Sequence, residues 1–160
     1  MYNKSILLLI VMLKFSIFNV ALANEKAPWG QAKTIQPEYQ NQKVVYDLDA
    51  SSEEQLANIF SRAGYLSKLN GNDPFENKII IVIHGDAIPF FAISGLYKYM
   101  QFMKLAYSQT LNETVEFRMC SASARLLGLT ADDIHGFVTM VPMADAEIVR
   151  LQQEGYAYMR

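Results

Sequence analysis

Lys78-Ile-Ile-Ile-Val-Ile-His84 is an almost unbroken run of β-branched aliphatic residues. A strand with one wet face alternates apolar and polar residues, whereas a strand covered on both faces reads as this run does. The stretch therefore predicts the central strand of a parallel sheet with helices on both sides. In open α/β sheets ligands collect just beyond the C-terminal ends of the strands, so the loop that starts at His84-Gly-Asp86 is where chemistry is expected. His84 is a candidate proton acceptor there, and Asp86 a neighbouring polar group. An isolated histidine at a strand end is more often hydrogen-bonded structure, and that reading stands beside the chemical one.

Upstream, Lys43-Val-Val-Tyr-Asp-Leu-Asp49 predicts the first strand. Ser51-Ser-Glu-Glu54 reads as a capping box, with Ser51 as N-cap and Glu54 three residues on. Leu56, Ile59, Phe60, Ala63 and Leu66 then recur at helical spacing, and Asn70-Gly71 supplies the stop. Pro89 to Gly95 is apolar and fits neither period. Tyr97 to Leu111 carries Tyr97, Met100, Met103, Tyr107 and Leu111 on one strip and Tyr99, Phe102 and Ala106 on a second. A helix apolar over so wide a girth is expected to be buried on two sides, by ordinary core or by core and a subunit interface.

Val115-Glu-Phe-Arg-Met119 alternates apolar and charged residues, which predicts a strand with two different faces. Ala122, Leu126 and Gly128 read as a short helix, so Cys120 falls at the hinge. Unpaired backbone N–H groups at a helix start favour thiolate over thiol. Continuing the alternation puts Arg118 on the same face as Cys120, where its guanidinium is a candidate to add to that effect. The competing reading is a small residue kept at a crowded junction for packing alone. Thr130-Ala-Asp-Asp133 follows as a capped turn, His135 is expected to face solvent, and Phe137 to Val141 predicts another strand. A helix from Ala144 to Gln153 stops at Gly155, and Tyr156-Ala-Tyr158 is a last short strand or tail. Strands alternating with helices over short connections call for a flavodoxin-like α/β three-layer sandwich with a mostly parallel sheet of four to five strands.

The first 23 residues have the layout of a secretory signal peptide: Lys4, the apolar run Ile6 to Leu13, and Ala21-Leu-Ala23 before the cleavage point. Lys14 interrupts the apolar stretch well short of the roughly 20 residues a membrane span needs. The expected mature chain is periplasmic or secreted, with no membrane association after cleavage. Residues 24–42 read as an extended arm, with Trp29 and Tyr39 expected to dock on the domain body or on a neighbouring subunit, and residues 43–160 as one domain. Two of the 14 basic residues and none of the 16 acidic ones lie in the signal segment, which leaves the remainder at −4. That balance argues against nucleic acid as a partner. One cysteine allows no internal disulfide, so Cys120 is buried and inert, paired with another molecule, or a working thiol. Glycine-rich phosphate loops, a G-x-S-x-G elbow and short zinc-ligand spacings are all missing from the sequence, so no cofactor and no metal are expected.

The order of His84-Gly-Asp86, Cys120-Ser-Ala-Ser-Ala-Arg-Leu-Leu-Gly-Leu129 and Val141-Pro142 through Glu147-Ile-Val-Arg-Leu-Gln-Gln-Glu-Gly-Tyr-Ala-Tyr158 resembles the DsrE/DsrF-like family of sulfur-relay and related proteins. The closing stretch is similar to its exported, mostly uncharacterised branch. The resemblance covers Lys43 to Tyr158. It implies a flavodoxin-like fold and homo-oligomers, commonly trimers or hexamers. In sulfur-relay members a loop cysteine at the position of Cys120 carries sulfane sulfur as a persulfide, exchanged with thiol-bearing donors and acceptors. Two functions are therefore expected in competition. One is an exported sulfur carrier or transferase acting through Cys120, with His84, Asp86 and Arg118 in support. The other is a non-enzymatic oligomeric module that binds a small ligand or a protein and whose cysteine is structural.

Overall fold

The computed structural model describes residues 29–75 and 77–160. The expected signal peptide and the start of the arm lie outside the described residues. The chain divides into two units at Pro37, and Glu38–Arg160 carries every helix and strand described below. Within it Tyr39 is 61% exposed, so the docking expected of that ring is not made on the domain.

The aliphatic run forms β2, Lys78–Ile83, and occupies the middle of a five-stranded, all-parallel sheet. The other strands are β1 (Lys43–Leu48), β3 (Val115–Cys120), β4 (Val138–Val141) and β5 (Ala157–Met159), in the spatial order β4-β3-β2-β1-β5. Val45 stands opposite Ile80, Ile80 opposite Glu116, and Cys120 opposite Val141. Four helices connect them: α1 (Glu53–Leu69), α2 (Leu96–Thr110), α3 (Ser121–Leu126) and α4 (Ala144–Gln153).

Winding order decides which face each helix covers. Crossovers between parallel strands are right-handed, so three steps in one direction across the sheet put their connections on one face. The steps β1 to β2, β2 to β3 and β3 to β4 all run the same way. The step from β4 to β5 runs back past β3, β2 and β1, and its helix α4 falls on the opposite face. The cores follow this division. Tyr46, Leu48, Ile81, Ile83, Phe117 and Met119 point to the side of α1 and α2, whereas Val45, Ile80, Val82 and Cys120 point to Ala144, Ile148 and Leu151 of α4. Phe117 anchors the larger core, with ring centroids 5.5 Å from Phe60, 5.9 Å from Phe91 and 5.6 Å from Phe137. Phe60, Phe91 and Phe117 are fully buried, and each contributes about 1.5–3 kcal/mol by removal from water.

Local signals place the helices with small corrections. The N-cap of α1 is Ser52, not Ser51: the Ser52 hydroxyl accepts from Gln55 N–H, and the Gln55 side chain returns to Ser51 N–H at 2.8 Å. The box is thus made by Gln55 rather than Glu54, one residue later. The apolar stretch that fitted neither period is two 3-10 segments, Gly85–Phe91 and Ile93–Gly95, which bury Ala87, Ile88, Phe90 and Phe91. Helix α2 buries only Met103 and Ala106 fully, with Tyr99 and Phe102 partly packed on the core, and its backbone kinks at Tyr99. Tyr97 is 91% exposed, and Tyr107 and Leu111 are also exposed, so the strip that starts at Tyr97 is uncovered in the single chain at these three positions. Thr130 and Asp133 form the expected reciprocal cap. His135 does not face solvent: its ring stacks on Phe137, its Nε2 is buried without a hydrogen-bond partner, and burial pushes its pKa below the ordinary imidazole value.

Candidate functional site

Cys120 is the last residue of β3 and the N-cap of α3. The connection that leaves β3 goes to one face of the sheet and the connection that leaves β4 goes to the other. The C-terminal ends of β3 and β4 are therefore the topological switch point, where two diverging connections open a crevice. Cys120 and Val141 stand side by side there. Ala122 N–H donates across the gap to Pro142 O at 3.2 Å, which ties the start of α3 to the exit of β4.

The sulfur is a hydrogen-bond acceptor. Ser123 N–H lies 3.4 Å from Sγ and Ser123 Oγ 3.3 Å. Burial alone would push the thiol pKa up. The Ser123 hydroxyl, the Ser123 N–H and the N–H groups of Ala144 and Ala122 outweigh it, and the pKa is lowered from the ordinary thiol value. All four donors favour the charged form because a thiolate accepts more strongly than a thiol. The residue is 2% exposed.

Arg118 shares the α4 face with Cys120, as the alternation predicted. Its guanidinium is bidentate on Glu116, with Nε–Oε1 2.9 Å and Nη2–Oε2 3.0 Å, and Nη1 pairs with Glu147 of α4. Glu147 is held in turn by Arg150, which chiefly keeps its carboxyl below the usual range against the opposing effect of burial. Arg118 thus fastens α4 to the sheet one row below the sulfur, and its hydrogen bonds go to carboxylates.

His84 continues β2 by one extended residue, with its N–H on Leu48 O at 3.1 Å. Since Ile83 is opposite Met119, His84 stands opposite Cys120 on the same face. Its Nε2 is 2.5 Å from Asp47 Oδ1, and the other oxygen of Asp47 accepts from Tyr158 Oη, also at 2.5 Å. Asp86 is exposed, and its N–H donates to Asp49 Oδ1 at 2.9 Å. That carboxylate crowds Gly85, whose φ is +54° and where a Cβ would lie 2.8 Å from Asp49 Cγ. Asp47, Asp49, Glu54, Asn58 and Arg62 line a cleft of about 380 Å³ beside this corner.

Sequence reasoning put Arg118 and Cys120 on one face and His84 and Asp86 together in the loop after β2, without relating that loop to the sulfur. It missed Ser123, Ala144, Asp47 and Tyr158. Ser123 had a local signal, since the third residue after an N-cap is where a helix presents its N–H to the cap. The other three are brought in by strand register and by the return of α4. Among the described residues no group of three His, Cys, Asp or Glu side chains is arranged to hold a metal ion. Among the same residues no helix is long and apolar enough to cross a membrane.

No curated protein matches the chain. Among solved structures it is similar to a protein of unknown function, MTH1491 from Methanobacterium thermoautotrophicum, with 25% sequence identity and a TM-score of 0.61. That similarity covers 74% of this chain and 98% of the other. The description of the DsrE/DsrF-like family matches residues 42–160, which hold the whole sheet, its helices and the Cys120 site. The chain belongs to the DsrE/DsrF-like family.

Proposed function

We propose that the protein carries sulfane sulfur as a persulfide on Cys120 and passes it between thiol-bearing partners, in a compartment outside the cytoplasm reached through its N-terminal signal segment. The observation that supports this most is the set of donors on Sγ. The Ser123 hydroxyl and backbone N–H groups at the switch point stabilise a thiolate, and the thiolate is the nucleophile in sulfur exchange. In loading, Cys120 S⁻ attacks the outer sulfur of a persulfide donor RS–SH. The donor S–S bond breaks, its electron pair leaves as RS⁻, and Cys120 becomes Cys–S–SH without net oxidation. The exposed strip of Tyr97, Tyr107 and Leu111 on α2 suits a homo-oligomer, a trimer or hexamer, in which a neighbouring copy covers it.

A second reading draws on one observation, the 2% exposure of Cys120. On that reading the cysteine is structural, and the protein is an oligomeric module whose strand-end cleft binds a small ligand. Mass spectrometry separates the two. The protein, purified without reductant, is incubated with a persulfide donor beside Cys120→Ser. A mass increase of one sulfur, reversed by reductant and absent in the variant, is the expected result. Failure of Cys120 to take up sulfur, together with resistance to alkylation until the protein is denatured, would leave the binding module as the function.

A further inference from the structure

We propose that His84, oriented by Asp47 and Tyr158, takes the proton of the incoming thiol when sulfur leaves Cys120. The inference rests on the sulfur-carrying role of Cys120 and adds a proton path to it. The path is built from three strands. Asp47 is on β1, His84 follows β2 and Tyr158 is on β5, and all three lie on the α4 face. Tyr158 is opposite Val45, so its long ring reaches diagonally up to Asp47 two residues on.

The hydrogen bonds define the state of the imidazole. A carboxylate only accepts, so the nitrogen that meets Asp47 carries a proton, and Nδ1 is left to gain or lose the second one. The Tyr158 hydroxyl occupies the other carboxylate oxygen, which keeps Asp47 from turning away. Asp47 and Tyr158 are therefore positioning residues, by the logic that an aspartate fixes the tautomer and direction of a catalytic histidine. The His84 side chain is 25% exposed and that of Asp47 16%, so the ring is anchored yet open to solvent. The titratable and charged groups on the elements beside it are Asp47 of β1, Asp49 just after β1, Asp86 in the loop after His84, Tyr158 on β5, and the Arg118–Glu147 pair that joins β3 to α4.

Carried one residue past the Ile83–Met119 pair, the register sets His84 beside Cys120, in strands whose usual spacing is about 4.8 Å. Sulfur held on Cys120 extends about 2 Å beyond Sγ, one S–S bond further than the buried thiol. An acceptor R′SH that reaches this outer sulfur gives its proton to Nδ1. The resulting R′S⁻ attacks the outer sulfur, the Cys120 S–S bond breaks, and its electron pair returns to Sγ, where Ser123 and the backbone N–H groups receive it. The products are R′S–SH, the Cys120 thiolate and an imidazolium, which releases its proton to solvent. Atoms and charge balance, and no oxidant is consumed.

The test uses the full-length protein loaded with one sulfur and two acceptors in single-turnover transfer, dithiothreitol and sulfite. Dithiothreitol must lose a proton to react, and sulfite dianion does not. His84→Gln is expected to slow transfer to dithiothreitol on the order of 10²-fold and to leave transfer to sulfite unchanged. Asp47→Asn and Tyr158→Phe are expected to slow the thiol reaction by smaller factors, again without effect on sulfite. Equal slowing with both acceptors, or none with either, overturns the proton path. If Cys120 takes up no sulfur at all, the function proposed above fails, and the coupling is decided by NMR titration of the His84 ring. The chain has two histidines, so His135→Gln assigns the signals. A titration midpoint that differs between wild type and Cys120→Ser retains the coupling of the two groups, and identical midpoints refute it.

Discussion

Removing one hydroxyl measures how far the site activates its sulfur. Ser123→Ala deletes the Oγ donor 3.3 Å from Sγ and keeps the backbone N–H at 3.4 Å. A hydrogen bond to a charged acceptor is worth about 1.5–3 kcal/mol. The contact is long and Ser123 is only half-buried, so the lower half of that range applies and water recovers part of it, leaving about 1–1.5 kcal/mol. At 1.36 kcal/mol per unit this raises the Cys120 pKa by about one unit. The thiolate fraction then falls about tenfold at any pH below both midpoints. The assay is the rate of iodoacetamide modification of the folded protein against pH, followed by intact mass. A midpoint that stays within about 0.2 unit of wild type, where the hydrogen-bond argument requires one unit, would show that the hydroxyl does not stabilise the thiolate. An upward shift that comes with lost helix content would mean that α3 has unravelled, so circular dichroism accompanies the titration.

Three further outcomes follow from the packing. Gly85→Ala should cost about 2 kcal/mol or more in urea unfolding, because it combines a φ of +54° with a methyl forced against the Asp49 carboxylate; wild-type stability in that variant would show that the loop yields freely. Phe117→Ala should cost about 3–5 kcal/mol by the same measurement, since it empties the centre of four packed rings. Glu147→Gln should destabilise by about 1–2 kcal/mol at neutral pH, a buried-pair loss reduced for the partial exposure of Arg118 and Arg150. The folded pKa of Glu147 is depressed, so its contribution is present above the unfolded value near 4.3 and is lost as pH falls through the folded one. The variant should therefore lose less stability than wild type between neutral and acid pH, and parallel curves would contradict this.

Period and punctuation made most of the sheet legible. The aliphatic run of β2 gave away its central place because only a strand covered on both faces needs no polar side. The alternation in β3 put Arg118 and Cys120 on one face for the same geometrical reason. Less could be read where tertiary contacts decide. The 3-10 segments after His84 have no apolar period of their own and are shaped by burial of Ile88 and Phe91. The apolar girth of α2 was visible, yet which strip meets the core depends on the kink at Tyr99. His135 looked like a surface residue in a polar neighbourhood, and its burial comes from Phe137, which stacks on it. Asp47 read as an ordinary polar position of β1, because its partners His84 and Tyr158 are 37 and 111 residues away. Registers of that range are set by the fold and not by the local sequence.

The reversed last crossover also bears on biosynthesis. The strands β1 to β4 can assemble in the order in which they emerge, each beside the one before. Helix α4 and strand β5 must then travel back across the finished sheet, so the face that holds the sulfur closes last. Ala144, one of the donors that lower the pKa of Cys120, arrives only with that closure. A nascent or unfolded chain therefore presents a thiol closer to its ordinary acidity, and the last of the donors that lower its pKa is added when the fold is complete.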